Sequence, residues 1–211
     1  MIFAILPVKN PQNAKQRLTG FLAVEQRETL ARMLYRQTLA TLCQAKGIDR
    51  VVVATSDNKI AEHARQSGVL VFEENEQISH SVSADAACLR AMEMGAATAL
   101  LVPIDVPTAT SADFTRLAAC ARPGLIVVPS SDGTGTNALA RTPPNCIQSR
   151  FGPGSFRAHL DQALSKGLPA DVLRLPGLMF DIDTPEDVAE FLAGPQQCQV
   201  SSFLRAACAS K

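Results

Sequence analysis

Neither sign of charge predominates in this 211-residue chain: Lys and Arg number 20, Asp and Glu 20. Nucleic acid and anionic membrane surfaces are held through a surplus of cations, so the neutral balance excludes both as expected partners. Long apolar runs are missing too. None approaches the roughly 20 residues that span a bilayer, and the first apolar stretch lacks the basic flank and length of a signal peptide, so a cytoplasmic location is expected. Six cysteines (Cys43, Cys88, Cys120, Cys146, Cys198, Cys208) occur without a CxxC pair, which favours burial over metal or disulfide use. None has a recognisable activating partner in sequence, and no Ser/His/Asp triad is evident. No Gly-Lys-Ser/Thr completes a Walker A loop, and no GxGxxG follows the first apolar run, so neither a P-loop nor a Rossmann dinucleotide site is expected. No Pro/Gly/Ser-rich linker divides the chain and no internal repeat is present. Residues 1–195 read as one domain. Residues 196–211 form a tail of weak pattern, in which Val200 to Cys208 either docks as a short helix or frays.

What is present is an alternation. Ile2 to Leu6 is an unbroken apolar run, the pattern of a strand buried on both faces in a parallel, helix-covered sheet. Glu25 to Lys46 has helical spacing (Leu30, Met33, Leu34) and ends at Gly47. Strands are predicted over Arg50–Thr55, Val69–Phe72, Thr98–Val102 and Gly124–Val128. Helices are predicted over Lys59–Gln66 behind Ser56-Asp57, over Val82–Met94 and over Ser111–Cys120. Strand and helix in turn predict a mostly parallel α/β sheet. After Pro129 the rhythm changes. Ala138–Ala140 reads as a short strand, Phe156–Lys166 as a helix, and Val172–Phe180 as a strand broken by Pro176-Gly177. Thr184-Pro-Glu-Asp187 carries an N-cap, a first-turn proline and first-turn carboxylates, and predicts a helix to Leu192.

Ligands of parallel sheets sit beyond the carboxyl ends of the strands. Lys9, Lys15 and Arg17 follow the first strand there, in a loop of Pro, Asn and Gln; they suit a polyphosphate, and a solvated basic loop is the alternative. Asp105, between Pro103 and Pro107, has the same address, as do Asp181 and Asp183 late in the chain. Converging carboxylates would supply the hard oxygen ligands of Mg²⁺. Asp181 or Asp183 taken singly is better read as help in capping the helix begun at Thr184. Ser130–Asn137 and Phe151–Ser155 are small-residue loops, and the second opens a helix, where main-chain N–H groups receive anions; each is also readable as an ordinary turn.

Taken together these segments are more specific. Pro7-Val8-Lys9 with Ala14-Lys15-x-Arg17-Leu18, then Pro103-x-Asp105-x-Pro107, Asp132-Gly-x-Gly-Thr-Asn-Ala-Leu139, Arg150-Phe-Gly-Pro-Gly-Ser-Phe156 with His159, and Asp181-x-Asp-Thr-Pro-Glu-Asp187 occur in that order. The set resembles the CofC/FbiD guanylyltransferases of coenzyme F420 biosynthesis, within the MobA-like nucleotidyltransferase superfamily, from Ile2 to about Leu192. The resemblance implies a three-layer α/β/α fold of the nucleotide-diphospho-sugar-transferase type. It implies transfer of GMP from GTP to 2-phospho-L-lactate, phosphoenolpyruvate or 3-phospho-D-glycerate, with Mg²⁺ as cofactor. Asp105 and Asp183 look like the metal ligands, with Asp181 able to replace Asp183. Leu6, Pro7, Val8, Lys9, Lys15 and Asp105 would line the nucleotide, and Lys9, Lys15 and Arg17 would meet its triphosphate. Thr136, Asn137, Gly152, Gly154 and Ser155 would hold the acid.

Where relatives carry a Gly-Leu-Asn run before the third helix, this chain has Gln77-Ile-Ser-His-Ser-Val-Ser83. His80, Ser81 and Ser83 could contact base or ribose, while Ser81 or Ser83 is favoured as the helix N-cap. His159 reads as a packed helical histidine. A nucleotidyltransferase for a sugar phosphate or molybdopterin, and a non-catalytic nucleotide binder, remain open readings, as do a homodimer and a downstream coenzyme F420 enzyme as partners. A phosphate monoester is already anionic at neutral pH and can attack the α-phosphorus without a strong base. The expected protein contribution is therefore positioning and charge compensation.

Overall fold

The computed structural model describes residues 1–75 and 79–209; Gln77 and Ile78 of the stretch that departs from the relatives lie outside the described residues. Seven strands form one sheet: β1 (Ile2–Val8), β2 (Arg50–Thr55), β3 (Leu70–Glu73), β4 (Thr98–Leu101), β5 (Gly124–Pro129), β6 (Thr136–Thr142) and β7 (Ala170–Val172). Their order is β3-β2-β1-β4-β6-β5-β7, and every pairing is parallel except those of β6 with β4 and β5. The helices are α1 (Val24–Cys43), α2 (Asn58–Gln66), α3 (His80–Glu93), α4 (Ser111–Ala119), α5 (Ser155–Ser165), α6 (Pro176–Met179), α7 (Pro185–Ala193) and α8 (Gln199–Ala209).

Period-two alternation sorts the strand side chains into two cores. Ala4, Leu6 and Val8 of β1, with Val53, Leu100 and Ile126, pack against α1, α2, α4 and α6. Phe3 and Ile5, with Val52, Ala99, Leu101 and Val127, pack against α3 and α5. Helices on both faces of a mostly parallel sheet make the predicted three layers, and explain why β1 is apolar at consecutive positions.

The sheet order fixes the crevice. Strands β1 to β3 run outward in one direction, and β4 returns to the other side of β1, so β1 and β4 flank the topological switch point. Strand β4 stops early. The Val102 N–H donates to the Ile5 carbonyl at 3.0 Å, so the odd-numbered residues of β1 turn their main-chain groups towards β4. Pro7 has the same parity and no N–H to leave unpaired where β4 has already given way to its proline turn.

Past β5 the chain differs from the expectation in three ways. The strand expected at Ala138–Ala140 runs from Thr136 to Thr142. It is antiparallel because the six-residue connection after β5 is a hairpin, tied by Asp132 Oδ1 accepting from the Thr134 N–H at 2.9 Å, and a hairpin cannot make a parallel crossover. Its first residues, Thr136 and Asn137, therefore start at the carboxyl edge of the parallel strands. The strand expected over Val172–Phe180 is instead β7, ending at Val172, followed by the short helix α6. Pro176 supplies the preset φ of a first helical turn, which outweighs the apolar run.

The tail is helical: Val200, Leu204 and Ala207 of α8 pack with Leu30 and Leu34 on the outer face of α1 and with Val188 and Phe191 of α7. Leu204 is 0% exposed. Leu204→Ala is expected to lower the unfolding free energy by about 2–4 kcal/mol. Urea titration would read this as a fall in midpoint at unchanged slope; a midpoint equal to wild type would mean that α8 contributes nothing to the fold.

Candidate active site

The loop after β1 makes two short 3₁₀ turns, Pro11–Asn13 and Gln16–Leu18, with Lys15 between them at φ +53°. A non-glycine residue in this left-handed region costs of order 1–3 kcal/mol and persists only where its surroundings impose it. Here the side chain explains the conformation. The Lys15 Nζ donates to Asp105 Oδ2 at 2.8 Å, Asp183 Oδ1 at 2.9 Å and the Ile182 carbonyl at 2.6 Å, and the side chain is 5% exposed. The Ile182 N–H in turn donates to the Asp105 carbonyl at 3.1 Å, tying the two acidic segments together.

Asp181 completes the cluster: one carboxylate oxygen from each of Asp105, Asp181 and Asp183 lies within 4.8 Å of the others. Burial opposes the charge of Lys15, and the Asp105 and Asp183 carboxylates more than offset it, so its pKa is raised. Burial also opposes ionisation of Asp105, yet the Lys15 ammonium holds that carboxyl below its usual range. Asp181 lacks such a partner. Burial first, and then the Asp105 charge, push it up to about 6 despite a hydrogen bond from Asn137. Capping does not account for these aspartates: the N-terminus of α7 is capped by Thr184 Oγ1, and Asp187 Oδ2 accepts the main-chain N–H groups of Asp183 and Thr184.

The remaining candidates form a circuit around this cluster. Lys9 is exposed at the end of β1 and close enough to His80 for its charge to act on the ring; burial and then Lys9 bring His80 down to about 4. His80 packs edge-on against Phe151, ring centroids 4.8 Å apart, and Phe151 packs against His159 at 5.5 Å. His159 bonds Thr136. Asn137, next to Thr136, donates to Asp181 Oδ1 at 3.0 Å, which closes the ring. Gly152 at φ +126° and Gly154 at φ +72° lead into α5, whose N-cap, Gly154, offers no side-chain acceptor. The Phe156 N–H donates to the Thr134 carbonyl at 3.2 Å, so the two small-residue loops touch. Arg17 is 64% exposed at the rim, with its Nη1 3.7 Å from Asp183 Oδ2.

Several expectations need correction. The cap of α3 is Ser79, whose Oγ accepts the Val82 N–H at 3.2 Å, because the helix begins at His80, earlier than its apolar spacing suggests. Ser83 is therefore inside the helix and 2% exposed, which removes it from any nucleotide contact. Ser81 Oγ accepts the Phe151 N–H at 3.0 Å and so braces the glycine loop. Leu6 and Val8 point into the core, leaving only their main chain for a ligand. Asn137 is 8% exposed and spends its amide on the Leu178 and Met179 carbonyls and on Asp181, so it positions the acidic segment and does not face an acid substrate. Ser155 is 1% exposed.

Sequence reasoning missed one network. Arg141, 0% exposed on β6, donates to Asp85 Oδ1 at 2.8 Å and to the Ile147 carbonyl at 2.7 Å, while the Asp85 carboxylate accepts from the main chain and hydroxyl of Ser149. This fastens α3 to the segment entering the glycine loop. The available signal was an arginine within an otherwise apolar strand, which demands a buried acceptor.

The family described as "Guanylyl transferase CofC like" matches residues 2–209. The chain belongs to this family. It is accordingly an enzyme of the nucleotidyltransferase class. Among its relatives, the phosphoenolpyruvate guanylyltransferase of Sphaerobacter thermophilus is 38% identical over 205 residues, 94% of this chain and 96% of the relative. The 3-phospho-D-glycerate guanylyltransferase of Colwellia psychrerythraea is 32% identical over 191 residues, 90% of each. A solved Desulfovibrio desulfuricans structure, named as a nucleotide-diphospho-sugar transferase, superposes with a TM-score of 0.76 over 99% of this chain and 97% of its own at 14% identity, a likeness of fold. Within this CofC-like fold the six cysteines are free, and burial raises the thiols of Cys88 and Cys146, so these two are poor nucleophiles. Among the described residues no helix is long and apolar enough to cross a membrane.

Asp181 carries a pH signature. Its folded pKa of about 6 lies above the roughly 3.9 of an unfolded aspartate, so the fold favours the protonated form. The stability this contributes is full below pH ~3.9 and is lost as pH rises through about 6. In protein stripped of divalent ions by EDTA, Asp181→Asn is expected to gain stability relative to wild type between about pH 4.5 and 7. The gain is on the order of 1–2 kcal/mol allowing for solvent screening, read from urea midpoints. A difference that does not change with pH would contradict the raised value.

Proposed function

We propose that this protein transfers GMP from GTP to the phosphate of a small phosphorylated three-carbon acid, releasing pyrophosphate, as a cytoplasmic step of coenzyme F420 biosynthesis. The observation that carries the reading is the convergence of Asp105, Asp181 and Asp183 at the switch point of the sheet, with Lys15 buried among them. Phosphoenolpyruvate is the acceptor of first choice, from the 38% identical relative; 3-phospho-D-glycerate and 2-phospho-L-lactate share its charge and size.

The donor set suits a divalent ion. Three hard-oxygen ligands meet there, one of them resisting ionisation for want of a cation, while an ammonium already bridges the other two. Asp105, Asp181 and Asp183 would hold Mg²⁺, which when bound offsets phosphate charge and activates the α-phosphorus. The protein's own groups divide the remaining work. Lys9 and Arg17, at the mouth, meet the triphosphate and the departing pyrophosphate. The main chain of Leu6, Pro7 and Val8 runs beneath the nucleotide, and His80 with Phe151 forms a wall for base or ribose. Thr136 and the main chain of the Gly152–Gly154 turn before α5 receive the acid's anionic groups.

In the reaction an oxygen of the acceptor phosphate forms a bond to the α-phosphorus as the bond to the bridging oxygen breaks, and pyrophosphate leaves with that electron pair. No proton has to be removed from a dianionic nucleophile. That agrees with two neutral histidines, each near a pKa of about 4, and with the raised thiols.

The test measures pyrophosphate release and product mass while crossing GTP, CTP, ATP and UTP with the three acids. Turnover is expected with GTP and strongest with phosphoenolpyruvate; no product in any combination would sink the proposal. Asp105→Ala is expected to lower kcat/KM by at least about 10³-fold with unchanged circular dichroism. Near-normal activity in that variant would remove Asp105 from the site.

A further inference from the structure

Two hydrogen bonds fix the proton on a buried imidazole beside the acceptor loops. His159 lies on α5 and is 0% exposed; its Nε2 accepts the Arg150 main-chain N–H at 2.9 Å, and its Nδ1 is 3.0 Å from Thr136 Oγ1. A ring nitrogen that accepts from an amide cannot carry a proton. Burial, and then the Arg141 charge, bring the ring's pKa down to about 4, so it is neutral near pH 7. Its one proton therefore sits on Nδ1 and is donated to Thr136.

The consequence falls on the threonine. Its hydroxyl accepts from His159, has no second hydrogen-bond partner among the described residues, and is half-buried where β6 begins, one residue before the Asn137 that holds Asp181. Its own proton is left to point elsewhere. We infer that His159 is a positioning residue which, through its Nδ1–H tautomer, presents the Thr136 hydroxyl as a hydrogen-bond donor to an anionic oxygen of the acid acceptor. The opposite tautomer would reverse the bond, commit the threonine proton to the ring, and turn lone pairs towards an anion.

The arrangement is built in from a distance. The Arg150 N–H that selects the tautomer follows directly on Ser149, which Asp85 clamps, and Asp85 is held by the buried Arg141. A neutral, singly protonated ring is thereby specified by α3, β6 and the strap between them. Phe151, packed edge-on between His80 and His159, keeps the ring plane from turning.

The inference rests on the acceptor assignment proposed above, and its test separates the two. Long-range ¹H–¹⁵N spectra of the imidazoles in the full-length protein at about pH 7, with His159 assigned by comparison with His159→Gln, are expected to show a protonated Nδ1 and an unprotonated Nε2. A charged ring or an Nε2–H tautomer overturns the inference whatever the activity. In steady-state assays His159→Gln, which keeps an acceptor for Arg150 but places no donor at Nδ1, is expected to raise KM for the acid about 10-fold, with KM for GTP within about twofold. His159→Asn, whose amide nitrogen falls near the Nδ1 position, is expected to restore most of the loss. In a Thr136→Val background, His159→Gln should add no further effect. Equal rises in both KM values, or losses that add in the double variant, would reduce His159 to packing and overturn the inference. Absence of wild-type turnover would remove the proposed reaction instead, and the tautomer would then decide the matter alone.

Discussion

The Lys15 ammonium between Asp105 and Asp183 is the constraint on which the rest of the site depends. Carboxylates gathered from two distant parts of the chain repel, and burial adds to the cost of each charge. One cation inserted from the loop after β1 makes the cluster tenable before any ligand arrives. It also sets the loop: the left-handed backbone at Lys15 is the local cost of aiming that side chain inward. Asp181 shows what happens without the cation, since it shares the same surroundings and resists ionisation.

A second constraint is the reversed strand β6. Parallel strands alone bring β1 and β4 to the crevice, which accounts for Lys9 and Asp105. The hairpin after β5 turns the chain back so that Thr136 and Asn137 begin at the same edge, and the glycine turn of α5 lies against that hairpin through Phe156 and Thr134. The segments after β1 and β4 and those of the hairpin and glycine turn are thus delivered by different topological devices and meet at Asp181, which Asn137 holds.

Much of this was legible in the sequence. Consecutive apolar residues in β1 announced a sheet covered on both faces, and its strand-end position singled out Asp105; Asp181 and Asp183 were expected at the end of a strand, whereas they follow α6 and still reach the same cluster. Thr184-Pro185 marked α7 because capping chemistry is local. What escaped was set by tertiary partners. Nothing local distinguishes Ser79 from Ser81 or Ser83 as a cap, since all three are serines at the start of one helix. Asn137 reads as a ligand-facing polar residue until the α6 carbonyls that it satisfies are in place. His159 read as mere packing, which its burial supports; the bonds at both of its nitrogens come from residues far enough away to be invisible in spacing.

Under the proposed function these observations share one logic: the site manages charge and leaves proton transfer aside. Cations stand at the mouth and carboxylates at the base, the partners proposed for the site are already ionised, and burial keeps both histidines neutral near pH 7. A protonated imidazole at either position would add attraction for phosphate, so its avoidance needs a reason. Attraction is not directional, whereas a neutral ring with a fixed tautomer is: it can dictate which way a neighbouring hydroxyl points. Bringing two anions into line for displacement is a problem of orientation once their repulsion has been offset, and fixed dipoles that need not reorganise serve it better than additional mobile charge.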